Sequence, residues 1–297
     1  MEVPSQLELL SQISQVFSES QADVCKTPVM APVSPSAESR PEISLYKLEK
    51  QLLHKTGKAI AEFNMIQEGD RILVAISGGK DSWVMLWVLN ELRKKAPINF
   101  DVVAVNIDQG YRGYRQDIIE DYVKTQGYEY AMEEFDIASI VAEKTKPGDM
   151  PCSLCARLRR GSLSGLAEKH KCNKIALGHH ADDFIETLLL NIFYIGKMAA
   201  MAPVLQTEKQ QITVFRPLVY SFEEDIKQFT YQKKFPIVCC QCPLACGSNE
   251  QFDSKRILIK KMLRVLEAKI PDIKQSLLTS LSSVKPTHLL DKSLMGV

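Results

Sequence analysis

No stretch of the 297-residue chain approaches the roughly eighteen uninterrupted apolar residues that a membrane-spanning helix requires. The N-terminus also lacks the basic-then-apolar layout of a secretory signal. The expectation is therefore a cytoplasmic protein with no membrane partner. Charge of one sign is missing as well: 37 Lys and Arg stand against 36 Asp and Glu, a net charge of +1. That balance excludes the broad positive field of a nonspecific nucleic-acid binder, so any nucleic-acid contact must be local. No internal repeat is present, which sets aside solenoids and propellers. What the chain does have is 45% hydrophobic residues, ample for the core of one large domain or of one domain with a small appendage. It also has eight cysteines, which in a non-secreted chain read as thiols and thiolates rather than as a disulfide framework.

Residues 20–43 mix Pro, Ser and charge without periodicity, so 1–44 is expected to be a disordered arm, with "LELLSQISQVF" a helix too short to stand alone. From Leu45 to about Phe63 the spacing is helical. Segments at 71–77, 101–108, 128–135, 174–180 and 213–218 read as short strands, the first, second and fourth strongly apolar, with helical segments between them at 82–95, 115–126, 157–170 and 182–195. Apolar strands alternating with helices predict an α/β fold. Its parallel sheet is covered by helices on both faces, with ligands at the carboxyl ends of the strands. That domain is expected over 45–235, followed over 236–297 by a small helical part containing cysteines, with helices at 254–268 and 271–284.

At the first strand end, "ILVAISGGKDSWVML" places Ser77, Gly78, Gly79, Lys80, Asp81 and Ser82 between a buried strand and a helix. Two glycines let the backbone turn its N–H groups toward an anion, and the helix adds its positive end, which makes a phosphate site. It is not the usual P-loop, because Asp81 and Val74 occupy the places of that motif's Ser or Thr and its first Gly. A mere tight turn is the bland alternative. Another strand end, "ALGHHADDFIETLLLN", supplies Gly178, His179, His180, Asp182 and Asp183. Glycine permits close approach to a nucleotide, and two carboxylates opening a helix suit Mg²⁺ as well as they suit N-capping. "NIDQGYRG", with Asp108, is a further candidate wall.

Cys152 and Cys155 form a C-x-x-C at a helix start, a pattern used for zinc, for iron–sulfur clusters and for redox dithiols, in each of which the helix end lowers thiol pKa. With Cys242 and Cys246 they would also make a four-thiolate zinc site. Two basic stretches are candidates for phosphate contact or for plain solvated faces. One holds Arg157, Arg159 and Arg160; the other holds Arg256, Lys260 and Arg264, every fourth residue on one helical stripe.

The string S-G-G-K-D-S resembles the signature of the PP-loop ATPases, which split ATP between the α and β phosphates and pass AMP to a substrate oxygen. That resemblance implies that Lys80 neutralises the departing pyrophosphate, that Ser77 and Ser82 bond phosphate oxygens, and that Asp81 orients the loop or helps hold Mg²⁺. "CSLCARLRRG", "KIALGHHADDFIETLLLNIFYIGKMAAM", "RPLVY", "FPI" before cysteines, "CGS" and "PTHLLD", in this order from about 45 to 291, are similar to the TtcA family of tRNA 2-thiocytidine biosynthesis proteins. The resemblance implies ATP-dependent 2-thiolation of a cytidine in the tRNA anticodon loop. The implied cofactors are ATP, Mg²⁺ and a 4Fe-4S cluster held by three cysteines, with sulfur from a cysteine desulfurase. It carries catalytic roles to Lys80, Asp81 and Asp182, nucleotide binding to residues 77–82, Gly178 and Asp183, and cluster ligation to Cys152 and Cys155. For the third ligand, anchoring on "CGS" selects Cys246, whereas counting from "FPI" reaches Cys240 or Cys242; Cys246 is placed first and Cys242 second. Cys25 and Cys172 read as ordinary thiols. Oligomeric state is open, a homodimer included. Two rival functions stand beside this one: uridine 2-thiolation by a sister PP-loop enzyme, whose extra C-x-x-C modules are not found here, and a zinc-stabilised ATP-binding protein without chemistry.

Overall fold

Alternation of apolar strands with helices does produce a mostly parallel sheet. The computed structural model describes residues 29–30, 43–145, 151–207, 212–242 and 255–291. The expectations for the arm and for "LELLSQISQVF" fall outside these residues, apart from 29–30 and 43–44. In chain order the elements are β1 (Val29–Met30), α1 (Leu45–Glu62), β2 (Arg71–Ile76), α2 (Lys80–Arg93), β3 (Asp101–Asp108), α3 (Gln116–Thr125), β4 (Tyr130–Glu134), α4 (Ile137–Lys144) and α5 (Cys152–Lys169). They continue with β5 (Lys174–Ala176), α6 (Ala181–Ile195), β6 (Val204–Gln206), β7 (Thr213–Phe215), α7 (Glu223–Lys233), β8 (Ile237–Val238), α8 (Lys255–Lys269) and α9 (Ile273–Ser280).

Six strands form one sheet in the order β4-β3-β2-β5-β7-β6, parallel throughout except for β6, which runs antiparallel to β7. Ile72, Leu73 and Val74 of β2 are wholly buried, as a central strand covered on both faces must be. Leu73, Val103, Val105 and Ile175 share one core with Leu166 and Ala167 of α5. An aromatic cluster of Trp83, Tyr122, Phe229 and Phe235 gathers α2, α3, α7 and the approach to β8, and the Trp83 indole donates to the Pro236 carbonyl at 2.8 Å. This buried donor is what places β8, and the cysteines after it, beside the start of α2. β8 pairs antiparallel with β1.

The expected strand at 174–180 ends at Ala176, where its pairing with β2 ends at Val74 and residues 177–180 turn away as a loop. The helix expected from 157 begins at Cys152 instead, which puts both C-x-x-C thiols in its first turn. α4, α7 and the short strands β6 and β8 have no counterpart in the sequence expectations.

The chain divides into two compact units: residues 23–181 with 202–249, and residues 1–22 with 182–201 and 250–297. The sheet lies in the first unit. The second contains α6 from Asp182 onward, α8 and α9, of which α8 and α9 pack on each other. Among the described residues no helix is long and apolar enough to cross a membrane.

Candidate functional site

The loop after β2 is held in shape by its own serines. The Ser82 hydroxyl donates to the Gly79 carbonyl at 2.8 Å and accepts from the Ser77 amide at 3.3 Å, while the Ser77 hydroxyl accepts from the Gly79 amide at 3.3 Å. The proton of Ser82 is thus committed to the loop itself. Gly79 caps α2 in extended backbone, and the first-turn amides of that helix have no intrahelical partner, the usual condition for an anion site. Gly78 sits at φ +79, and its carbonyl accepts from the Val238 amide at 3.0 Å. A Cβ at Gly78 would lie 2.9 Å from the Val238 Cβ and 3.0 Å from Ile119 Cδ1. The phosphate loop and β8 are therefore in direct backbone contact.

Lys80 lies between two carboxylates, its Nζ 3.1 Å from Asp81 Oδ2 and 3.1 Å from Glu223 Oε1 of α7. Burial works against its charge, but Asp81 and Glu223 outweigh that effect and hold the ammonium above its ordinary pKa. The other Asp81 oxygen, Oδ1, is buried with no hydrogen-bond partner among the described residues, and His180 Nε2 stands 3.7 Å away. Gly178 lets the loop after β5 run against the start of α2: a Cβ there would approach the Asp81 carbonyl carbon and oxygen to 3.1 and 3.2 Å and the Ser82 amide to 3.3 Å. Gly178→Ala is expected to push the loop by a few tenths of an ångström and to weaken ATP binding by roughly tenfold, about 1.4 kcal/mol and within the range for overpacking. Isothermal titration with ATP checks this; unchanged affinity would show that the loop yields freely.

At the neighbouring strand end, buried Asn106 donates to the Ile76 carbonyl and the Tyr114 hydroxyl, each at 2.7 Å, and accepts from Gln116 at 3.1 Å, which ties β2 to β3 and to the segment behind it. Asp108 caps its own turn through the Gly110 amide at 2.8 Å. Arg216, just after β7, donates to His179 Nδ1 at 3.2 Å and to the Ala202 carbonyl.

The cysteine segment enters the same unit. Cys240 lines a small cleft with Ser77, Gln109, Tyr114 and Arg159. Cys155 of α5 stands with its Sγ 3.6 Å from Gln109 Oε1 and within electrostatic reach of Cys152, Cys240 and Cys242. Burial first, then the nearby Cys242 and Cys155 sulfurs, push the Tyr111 pKa up. Burial pushes Tyr114 up to about 12. Burial also raises the Cys155 and Cys240 thiols, with Arg159 pulling the other way in each case. The expected lowering of thiol pKa by the helix start is thus overturned at Cys155, because desolvation of the thiolate exceeds what the helix end and Arg159 return. Cys152, Cys155, Cys172 and Cys242 are free thiols, whereas Cys239 is disulfide-bonded. Cys25 and Cys246 lie outside the described residues. Among the described residues no group of three or more His, Cys, Asp or Glu side chains is already arranged around a metal position.

In the second unit the aspartates that open α6 are engaged. Asp182 Oδ1 is 3.3 Å from Lys274 Nζ, and Asp183 Oδ1 is 3.2 Å from Arg256. Arg256 also reaches buried Glu186 at 2.9 Å, with Lys260 at 3.6 Å. Burial raises the Glu186 pKa against the pull of both cations. Two cations of the expected phosphate-gripping stripe therefore face carboxylates of their own unit, and only Arg264 of the three is exposed.

A PP-loop domain model matches residues 48–239. The tRNA-cytidine(32) 2-sulfurtransferase of Citrifermentans bemidjiense is 52% identical over 244 residues, 82% of this chain and 94% of its own length. The chain belongs to the tRNA-cytidine(32) 2-sulfurtransferase family, within the PP-loop proteins. The sulfurtransferase of Pelobacter propionicus, 49% identical, covers 89% of this chain and 96% of its own. Among solved structures, the U34-tRNA thiolase NcsA from Methanococcus maripaludis with its 4Fe-4S cluster superposes with a TM-score of 0.66, covering 86% of this chain and 90% of that one at 24% identity, which bears on the fold.

In this sulfurtransferase-family chain the structure brings Ser77, Gly78, Gly79, Lys80, Asp81, Ser82 and Gly178 to one place, and Cys152, Cys155, Cys240 and Cys242 to another within the same unit. Asp182 and Asp183 belong to the other unit. Sequence reading missed Glu223, and it gave no separate role to Arg216, Asn106 or Tyr111, although they lie in the quoted "RPLVY" and "NIDQGYRG".

Proposed function

We propose that this protein uses ATP to 2-thiolate a cytidine of tRNA, at position 32 as its relatives' name specifies, and that it does so through an adenylated intermediate. The observation that carries this reading is the cleft in which Ser77 of the phosphate loop and Cys240 of the cysteine segment stand together. Nucleotide chemistry and sulfur chemistry need adjacent groups if a short-lived adenylate is to be trapped before water reaches it.

In the first half-reaction the cytidine O2 attacks the α phosphorus of ATP and pyrophosphate departs. The α2 amides hold the phosphates, and Lys80 exchanges its carboxylate partners for the charge developing on the leaving group. Asp81 Oδ1, buried without a hydrogen-bond partner among the described residues, is the oxygen on hand for Mg²⁺. In the second half a sulfur at the oxidation level of sulfide adds to C2, and AMP leaves with the former O2, so that C–O breaks as C–S forms. The donor set near Tyr111 is thiol, which suits iron and sulfur. Cys152 and Cys155, with Cys246 or Cys242, would hold the 4Fe-4S cluster. Bound there, the cluster would supply an iron with affinity for sulfur, and a cysteine desulfurase would supply the sulfur. Tyr111 and Arg159 orient the thiols and set the charge around them.

The test is release of pyrophosphate and AMP. Both are expected only when tRNA is present, and ATP turnover indifferent to tRNA would remove the adenylation step. Cys155→Ala is expected to lose iron and thiolation while keeping tRNA-dependent pyrophosphate release. A variant that still thiolates tRNA fully would remove the cysteine role.

A further inference from the structure

The end of α6 and the turn after it expose what a folded chain usually hides. Phe193 is 55% exposed, Tyr194 41%, Ile195 69% and Met198 69%, with exposed Lys197 among them. Lys255 of α8 places its Nζ 4.5 Å above the Tyr194 ring. Exposed aromatic and long apolar side chains gathered at one helix end mark an interaction surface.

The patch is also pre-shaped. Gly196, at φ +73, ends the helix in the left-handed backbone that glycine adopts freely. The turn is then closed by the Asn191 side chain donating to the Ala199 carbonyl at 2.6 Å and by the Lys197 amide donating to the Asn191 carbonyl at 3.0 Å. These side chains therefore stand on a braced turn.

We propose that this patch, Phe193, Tyr194, Ile195 and Met198 flanked by Lys197 and Lys255, is a stacking platform for unpaired bases of an RNA loop. The proposal rests on the tRNA reading above and specifies a surface for it. Unpaired bases stack on exposed aromatic rings, and lysines interleaved with those rings meet the phosphates between the bases. A second copy of the chain fits less well. Centres of self-association surfaces are depleted of charge, and a two-fold contact would gather both copies of Lys197 and Lys255 into one buried patch.

The experiment compares the full chain with Phe193→Ala/Tyr194→Ala and with Lys197→Glu/Lys255→Glu. The probes are an RNA stem-loop with a seven-base loop (about the single-stranded span such platforms grip) and a fully paired RNA duplex of equal length. Unchanged ATP affinity shows that each variant is folded. The aromatic variant is expected to bind the stem-loop about tenfold more weakly, as loss of base stacking does, with duplex affinity and salt dependence unchanged. The lysine variant should flatten the salt dependence by roughly one unit of slope per lost phosphate contact. In pyrophosphate release the aromatic variant should raise the KM for tRNA and leave kcat within about twofold, the signature of lost uniform binding. Equal stem-loop affinity in the wild type and the aromatic variant overturns the platform, even if tRNA-dependent pyrophosphate release stands. A wild-type dimer that the aromatic variant dissociates overturns it in favour of self-association. No tRNA-dependent pyrophosphate release in the wild type would instead take down the tRNA reading on which the platform rests.

Discussion

Lys80→Ala is expected to slow tRNA-dependent pyrophosphate release by at least about a hundredfold, the usual cost of deleting one charge-stabilising group from a transferring phosphoryl centre. Lys80 is held above its ordinary pKa between Asp81 and Glu223, so it is fully charged wherever the enzyme works. Its removal also leaves those two carboxylates facing each other and facing the anion that must leave. Adding Glu223→Gln to Lys80→Ala separates the two effects. If the lost cation is what matters, the double variant stays slow. If repulsion of ATP is what matters, the double variant recovers ATP affinity. A single variant within about tenfold of wild type would remove Lys80 from the chemistry, since loss of such a donor costs more than that.

Gly78→Ala is expected to abolish ATP binding and to lower iron content in the same protein. Two costs add at this residue. An L side chain at φ +79 is strained by about 1–3 kcal/mol, and the new methyl group would sit 2.9 Å from the Val238 Cβ, an overpacking cost of about 1–3 kcal/mol more. Relief requires β8 to move away, which breaks the Val238 to Gly78 hydrogen bond and carries Cys240 and Cys242 with it. Gly127→Ala is the control, because that glycine has φ +67 but open space around its Cβ position. It should pay strain alone and keep both ATP and iron. ATP titration and iron assay on the two variants decide the matter. Normal iron in a Gly78→Ala protein that has lost ATP would show that the loop and the cysteine segment are independent.

Much of this arrangement was legible in the sequence where the local signal and the tertiary role coincide. β2 and β3 are apolar runs because both faces of a central strand are covered, and the glycines between β2 and α2 mark the turn that the backbone makes there. α7 escaped because its inward face mixes polar and apolar residues: beside fully buried Ile226 and Phe229, Asp225 is paired with Lys55 at 2.7 Å and Gln228 accepts from the Ile43 amide at 3.2 Å, so the apolar period is too broken to announce the helix. Glu223, the second partner of Lys80, was lost with it. The stripe of Arg256 and Lys260 was placed correctly on one helical face, but a sequence cannot say whether a cation faces solvent or a buried acid such as Glu186. The C-x-x-C spacing located two thiols without fixing their acidity, since burial is a tertiary property. Spacing did not choose which cysteine joins them: Cys240 and Cys242 follow β8, which is tied to Gly78 through Val238, and Cys246 lies outside the described residues.

The most direct test of the central claim is mass analysis of nucleosides from tRNA incubated with anaerobically purified protein, ATP, Mg²⁺ and a sulfide source. The expected result is 2-thiocytidine formed only with ATP and only by protein that carries iron, and lost in Cys155→Ala. Sulfur appearing on uridine instead, or thiolation that proceeds without ATP, would contradict it.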